Sequence, residues 1–322
     1  MKKIGFLCSG GDSPGMNCAI RAIVRTALYH NIKPVAIHQG YAGLLQGKFT
    51  PMDASSVGNI IQRGGTIIQT SRCPEFHEKK TRKKAAELLR KQKIEGLIVI
   101  GGDGSFNGAQ LFSTENNFPV IGIPGTIDND ISSTEYTIGF DTAIQTAIEA
   151  VDRIRDTASS HARIFLVEVM GRNSSSIAMK VAVCTGAENV IVPKIKVDYQ
   201  EIADGINRGI SRGKTSSIII VAEGEKEGRS YEIQKNLREK FQLDSRVCIL
   251  GHVQRGGSPS ALDRYVASHM GHIAVKALIE KKFNTVAVVK NGKVTLAPLS
   301  ECLAKTDPFK EDHLLLAKIL SI

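Results

Sequence analysis

The sequence predicts an α/β protein built on parallel sheets, and three observations carry that prediction. Short apolar runs recur along the chain, each ending in a polar, glycine-containing loop that opens a helical pattern. Two of those loops follow one another closely. Gly101-Gly102-Asp103-Gly104-Ser105 comes after the run 97–100, and Pro124-Gly125-Thr126-Ile127-Asp128-Asn129-Asp130 after the run 120–123. Finally, the longest apolar runs are strand-sized, too short to span a membrane. Ligands of such folds bind beyond the strand ends, so loops on one sheet edge can face a common crevice. Either loop alone reads most simply as a turn capped by Asp or Ser. Two of them, carrying Asp103, Thr126, Asp128 and Asp130, make an active site the better reading.

In chain order, Ile4-Gly5-Phe6-Leu7 predicts a buried strand that leads into Ser9-Gly10-Gly11-Asp12-Ser13-Pro14-Gly15. A helix follows, with Ile20, Ile23, Val24, Ala27 and Leu28 on one face. Arg21 and Arg25, four apart, share another face; a bound anion would relieve their repulsion, although two solvated arginines are the commoner explanation. Residues 35–37 and 66–69 predict strands, the second followed by Thr70-Ser71-Arg72-Cys73-Pro74. The basic run from His77 to Lys84 opens a helix ending near Lys93, with a solvated face. A helix over about 141–156 turns Ile144, Ile148, Val151 and Ile154 inward. Strand 164–169 delivers Met170-Gly171-Arg172, strand 217–222 delivers Glu223-Gly224, and strand 247–250 delivers Gly251-His252-Val253-Gln254-Arg255-Gly256-Gly257. No Pro/Gly/Ser linker divides the chain, so two domains would share crossings, near 138–140 and near 251.

The 322 residues allow a large core and two domains, and 42% hydrophobic with 23% charged residues is ordinary for a globular protein. The formal net charge of +10 calls for an anionic partner, yet aromatics are 5% and Trp is absent, which gives little support to a base-stacking surface. Small phosphorylated ligands account for the charge as well as nucleic acid would. Six cysteines without a Cys-x-x-Cys pair suggest reduced, buried thiols, and the eight histidines show no metal-ligand spacing. Lys2-Lys3 precedes too short an apolar run for a secretion signal, so the expected compartment is the cytoplasm.

The chemistry follows from the loops. The stretch from Gly102 to Gly108 has a relaxed glycine pattern that invites a dinucleotide, but Asp103 would stand where a pyrophosphate needs bare backbone. The conflict disappears if Mg²⁺ lies between that carboxylate and a nucleoside triphosphate, since Mg²⁺ is usually held by one or two carboxylates plus phosphate oxygens. No Walker P-loop occurs. Asp128 is then a candidate general base for an acceptor hydroxyl. Arg72 and Arg172, each after a strand-like run, could neutralise phosphoryl charge. His252 to Gly257, with Arg246 just upstream and Arg163 elsewhere, reads as a phosphate clamp.

These residues match a family. Ser9-Gly10-Gly11-Asp12-x-Pro14-Gly15-Met16-Asn17, Gly101 to Ser105, Pro124 to Asp130, Met170-Gly171-Arg172 and Gly251-His252-x-Gln254-Arg255-Gly256-Gly257 together resemble bacterial ATP-dependent 6-phosphofructokinase, nearly end to end and in motif order. The resemblance implies two similar three-layer parallel-sheet domains with the active site between them, in a homotetramer, with neither nucleic acid nor membrane as partner. It implies an ATP-binding domain of 1–138 plus 251–300 and a sugar-phosphate domain of 139–250 plus 301–322. Asp128 would deprotonate the 1-hydroxyl of fructose 6-phosphate, with Thr126, Arg72 and Arg172 as its catalytic companions. Asp103 would hold Mg²⁺, and Gly11, Arg72, Cys73, Gly102, Asp103, Gly104 and Ser105 would meet ATP. The sugar phosphate would meet Thr126, Ile127, Asp128, Met170, Gly171, Arg172, Glu223, His252, Val253, Gln254 and Arg255, with Arg163 and Arg246 lent by a neighbouring subunit. Arg21, Arg25, Arg155, Gly186, Glu188, Arg212 and Lys214 would form an effector site for ADP or phosphoenolpyruvate.

Four places along the chain bear on variation within that family. Pyrophosphate-using relatives carry Asp and Lys where this chain has Gly104 and Gly125, which favours ATP over the alternative of a pyrophosphate-dependent enzyme. After Arg172 many bacterial relatives carry a Gly-Asp pair two residues further on, whereas this chain has Asn173-Ser174-Ser175-Ser176, a departure compatible with a non-catalytic sugar-phosphate or nucleotide sensor. Serine there can still cap the following helix. Ala54-Ser55-Ser56 replaces a basic residue often used for the effector, so weakened or altered regulation is expected.

Overall fold

The computed structural model describes residues 1–160, 163–304 and 311–321 as two compact units that share the chain discontinuously. The first unit holds Met1–Thr142 and the segment from Arg255, and the second holds Ala143–Gln254 and the C-terminal helix.

The first unit comprises β1 (Lys3–Ser9), α1 (Met16–Tyr29), β2 (Lys33–Ile37), α2 (Gly40–Leu45), β3 (Phe49–Pro51), α3 (Lys79–Lys91), β4 (Leu97–Gly101), α4 (Asp103–Asn116), β5 (Val120–Pro124) and the first turn of α5 (Phe140–Ser160). The second unit takes the rest of α5 and continues through β6 (Ile164–Val169), α6 (Ser176–Thr185), β7 (Asn189–Ile191), α7 (Tyr199–Ser211), β8 (Ser217–Ala222), α8 (Arg229–Phe241) and β9 (Ser245–Ile249). The chain then returns to the first unit for α9 (Ala261–Ile279), β10 (Thr285–Lys290), β11 (Lys293–Pro298) and α10 (Leu299–Cys302), and ends in the second with α11 (Glu311–Leu320).

In the first unit a seven-stranded sheet runs β11-β10-β5-β4-β1-β2-β3, parallel at its centre, with antiparallel strands β11 and β3 at its two edges. Alternation along β1 explains its two layers of helices. Ile4, Phe6 and Cys8 face a core with Ile20, Ile23 and Val24 of α1 and Met270 and Ala274 of α9. Leu7, between them, faces the opposite core with Leu89, Phe106 and Phe112. Helices α1 and α9 cross closely at Gly271, where a Cβ would lie 2.6 Å from the Ala19 carbonyl oxygen. The second unit has a fully parallel sheet, β7-β8-β6-β9. Leu166, Ile219 and Val221 of that sheet pack against Ile202, Ile206, Ile233 and Leu237 of α7 and α8.

The structure corrects several expectations. Residues 66–69 form a turn rather than a strand, because the Asn17 side chain reaches out of α1 and takes the Ile67 N–H at 2.8 Å, and Gln69 turns left-handed at φ 59°. Arg72 therefore follows a loop. Helix α3 begins at Lys79, after a short 3₁₀ turn over Pro74–His77. The crossings lie a few residues beyond the expected ones. The buried carboxylate of Asp263 takes the Gly139 N–H and the N–H and hydroxyl of Thr142, which ties the first turn of α5 to the first unit. Gln254 bonds the Met170 N–H and the Ala143 carbonyl, which ties it to the second. Helix α10, which the expected boundary at 300/301 would have split, packs on β10, β11 and α4 of the first unit. Of the thiols, Cys8, Cys18 and Cys302 are buried, Cys73 and Cys248 half-buried, and Cys184 exposed. Among the described residues no helix is long and apolar enough to cross a membrane.

Candidate active site

In the first unit, β1, β4 and β5 are parallel neighbours paired Ser9 to Gly101 and Gly101 to Pro124, so their C-terminal ends are level. The three loops that carry the glycine and aspartate motifs therefore begin side by side. Backbone bonding stitches them together, with the Gly125 N–H donating to the Gly101 carbonyl at 3.0 Å. A Cβ on Gly102 would sit 3.5 Å from the Thr126 Cβ, so the gap between the second and third loops there is about one methyl group wide.

Asp103 opens α4 and is exposed, with the Asn107 amide 3.1 Å from its carboxylate. At Gly104 a Cβ would meet nothing within 4 Å. Backbone N–H groups of a helix's first turn, beside open space, are suited to phosphate oxygens. No group of three or more His, Cys, Asp or Glu able to hold a metal occurs among the described residues. Asp103, exposed beside this open space, would be the residue to share Mg²⁺ with a ligand's phosphates. Ser105 is a brace: its hydroxyl donates to the Ser9 carbonyl at 2.9 Å and its N–H to the Gly102 carbonyl. Its own carbonyl accepts from the buried Tyr41 hydroxyl at 2.8 Å.

Thr126 and Asp128 are 9% and 7% exposed. The Thr126 hydroxyl oxygen accepts the Asp128 N–H at 3.2 Å, while its carbonyl accepts the Thr137 hydroxyl at 2.6 Å. The Asp128 carboxylate therefore stands on a turn held from both sides. Arg72 is exposed and positioned by its neighbours, since the Thr70 hydroxyl donates to the Gly10 carbonyl and the Ser71 hydroxyl to the Gln39 carbonyl. Beside it, burial raises the Cys73 thiol, and Glu75 raises it further. Arg255 lies against the first loop: its guanidinium donates to the Asp12 carbonyl at 3.2 Å, and a Cβ on Gly11 would lie 2.7 Å from it. Expected with the sugar-phosphate group, it sits among the residues expected to meet ATP.

In the second unit, β6 lies between β8 and β9, with Val169 opposite Ala222 and Glu168 opposite Ile249. Met170 to Arg172, Glu223 and the segment from Gly251 to Gln254 therefore leave the same sheet edge. Gly171 has φ 134° and Arg172 φ 49°, and the Arg172 N–H donates to the Glu223 carboxylate at 3.0 Å. A left-handed arginine is strained unless its surroundings fix it, and that bond is one such fixture. Gln254 is fully buried, and its side chain is engaged internally with Met170 and Ala143, so it supports the loop. His252 and Val253 are exposed. Ile127 is buried in the first unit. Arg163 and Arg246 lie at the opposite, N-terminal edge of the second unit's sheet, both exposed, so this unit does not bring them to Arg172. Ser175 stands at the N-cap of α6 without the side-chain bond expected of it, while the Ser174 hydroxyl oxygen, one residue earlier, accepts the Ser176 N–H at 3.2 Å.

The residues expected to hold an effector divide between the units. Arg21 and Arg25 lie on α1 of the first. In the second, Arg155 donates to the Thr185 carbonyl at 2.7 Å, next to Gly186, which ends α6 at φ 60°. Glu188, Arg212 and Lys214 line a cavity of about 210 Å³, together with Arg208 and Lys318. Lys214 is ion-paired with Glu188 at 2.9 Å, so one of the expected cations is already compensated. Sequence reasoning missed Tyr41, Arg208, Lys318 and Glu168. Only Glu168 carried a signal, as a charge inside the apolar run 164–169.

Comparison with known proteins places these loops in context. The Phosphofructokinase family profile matches residues 3–278. The ATP-dependent 6-phosphofructokinase of Halothermothrix orenii is 48% identical over 332 aligned positions, and that of Staphylococcus epidermidis 51% over 324, each alignment covering all of both chains. The crystal structure of Pichia pastoris phosphofructokinase in the T-state matches with a TM-score of 0.88 and 35% identity, covering 94% of this chain. The chain spans 35% of the length of that yeast protein. With its family profile, its full-length relatives and its motif-bearing loops in agreement, the chain belongs to the phosphofructokinase family.

Proposed function

We propose that the protein is an ATP-dependent 6-phosphofructokinase, a phosphotransferase that converts fructose 6-phosphate and ATP to fructose 1,6-bisphosphate and ADP, as a glycolytic enzyme of the cytoplasm. The observation that carries this reading is the level alignment of the Asp103 and Asp128 loops, in a chain half-identical to enzymes of that name.

In this reading the first unit binds ATP and the second the sugar phosphate. Asp128 accepts the proton of the sugar 1-hydroxyl as that oxygen forms its bond to the γ-phosphorus. The bond from phosphorus to the β,γ-bridging oxygen breaks, and ADP leaves with the electron pair. Thr126 sets the turn that aims the Asp128 carboxylate. Arg72 and Arg172 offset charge on the transferring group, a role that electrostatic catalysis assigns to donors fixed before reaction. Mg²⁺ held by Asp103 with phosphate oxygens supplies further neutralisation when bound. Met170, Gly171, Glu223 and His252 face the sugar phosphate. Arg163 and Arg246 join it from a neighbouring subunit, which their place at the far sheet edge supports. The assembly is then a homotetramer. Glu188, Arg212 and Lys214 at the cavity, with Arg155, Gly186, Arg21 and Arg25, take an anionic effector, ADP or phosphoenolpyruvate.

A coupled assay on the purified protein tests the reaction directly. Asp128→Ala should lower turnover by about 10²–10⁴-fold with little change in melting temperature. A variant that keeps a near-normal rate would remove Asp128 from the base's role.

A further inference from the structure

Glu168 is a carboxylate inside the parallel sheet, 1% exposed and out of reach of any ligand. It is fully employed. Its oxygens accept the Gly228 N–H at 2.6 Å, the Ser230 N–H at 2.8 Å and the Ser230 hydroxyl at 2.6 Å. Gly228 is the residue that caps α8, and it has no side chain with which to satisfy the helix's first N–H groups. Glu168 does that from the neighbouring strand, with a charge that the helix N-terminus favours.

The stretch so anchored is Glu223-Gly224-Glu225-Lys226-Glu227-Gly228, which has a glycine at positive φ near each end, 71° at Gly224 and 98° at Gly228. At its start the Glu223 N–H donates to the Val169 carbonyl at 3.0 Å, and the Glu223 carboxylate takes the Arg172 N–H. At its end the anchor is Glu168, one residue before Val169 on the same strand. The loop is thus clamped at both ends onto the last residues of β6, which also launch Met170 to Arg172.

The geometry points to Glu168 as a positioning residue for the sugar phosphate. It fixes the loop that carries Glu223, and through Glu223 it holds Arg172 in its left-handed conformation. This rests on the assignment of Glu223 and Arg172 to fructose 6-phosphate made above. Glu168→Gln keeps the shape but must turn an N–H₂ group toward the Gly228 or the Ser230 backbone N–H, each of which needs an acceptor. Misplacing a substrate-positioning group by an ångström can cost as much as about a hundredfold.

The test is initial-rate kinetics on wild type, Glu168→Gln and Ser230→Ala, each with its melting temperature. Glu168→Gln should raise KM for fructose 6-phosphate about tenfold or more and leave KM for ATP within about twofold. Ser230→Ala keeps the carboxylate and both backbone bonds. It should shift the same KM in the same direction by about threefold, and it carries the test if Glu168→Gln does not fold. A fall in melting temperature with both KM values unchanged would reduce Glu168 to a helix cap and overturn the inference, as would an equal rise in both KM values. A wild-type protein without activity on fructose 6-phosphate would instead remove the underlying reading.

Discussion

In the proposed reading donor selection depends on two glycines with different surroundings, and substituting each in turn separates charge from packing. At Gly104 a Cβ meets nothing within 4 Å, and the residue is the second of α4. Gly104→Asp therefore introduces no clash. Asp gains only about 0.3 kcal/mol over glycine in helix propensity, and a carboxylate in the first turn adds about 0.3–1 kcal/mol. The melting temperature should hold or rise. The added charge would stand beside a triphosphate in the proposed complex, where two unit charges about 6 Å apart repel by about 3 kcal/mol at an effective dielectric constant of about 20. With half of that lost to screening, kcat/KM for ATP falls about tenfold. Gly125→Lys acts by packing, because its Cβ would come within 2.9 Å of the Met16 Cε and 3.0 Å of the Ile100 Cγ2. Crowding of that kind costs about 1–3 kcal/mol, a fall of a few degrees in a chain of this size. The assay is steady-state kinetics with ATP varied, beside thermal melts of both variants. Gly104→Asp with wild-type kcat/KM for ATP would show that the start of α4 does not face the donor. A lowered melting temperature in that variant would refute the open space at Gly104.

Two further outcomes are expected. Burial pushes the Cys8 thiol up to about 12 and those of Cys18 and Cys302 to about 11, so at neutral pH they are protonated as well as inaccessible. A thiol reagent followed by peptide mapping should label exposed Cys184 first and half-buried Cys73 and Cys248 slowly. Cys8 should react only after denaturation; labelling of Cys8 in the native protein at the rate of Cys184 would contradict this. For the effector, saturation curves for fructose 6-phosphate should shift with ADP or phosphoenolpyruvate in wild type and shift less in Arg25→Ala. Equal shifts in both proteins would place the effector elsewhere, and no shift in wild type would remove the regulatory claim.

The central strands were legible because strands buried on both faces leave continuous apolar runs, as at 97–100, 120–123 and 217–222. The hairpin of β10 and β11 had its own signal, an apolar run 286–289 followed by Asn291-Gly292, which went unread. Residues 66–69 have the composition of a strand, but a single distant side chain, Asn17, decides their backbone. The loops and most of their chemistry were legible as motifs, since glycine and aspartate after an apolar run restrict what the backbone can do. What the motifs could not convey is which side chains are already occupied. Gln254 and Ser105 lie inside site motifs, yet their polar atoms are engaged in holding the loops in place. That information exists only in three dimensions.

The interrupted course of the first unit also sets an order of assembly. Its sheet lacks β10 and β11, and α1 lacks the helix that covers it, until α9 and the strands beyond it have been made. All four strands of the second unit, by contrast, lie in the uninterrupted stretch from Ile164 to Ile249. On the ribosome, where chains emerge from the N-terminus, the inserted sheet can therefore close while the apolar face of α1 still waits. The Gly271 crossing with α1, between residues far apart in sequence, is a late contact with a high loop-closure cost. Substitutions there should act on the yield of folded chains more than on the rate of those that fold.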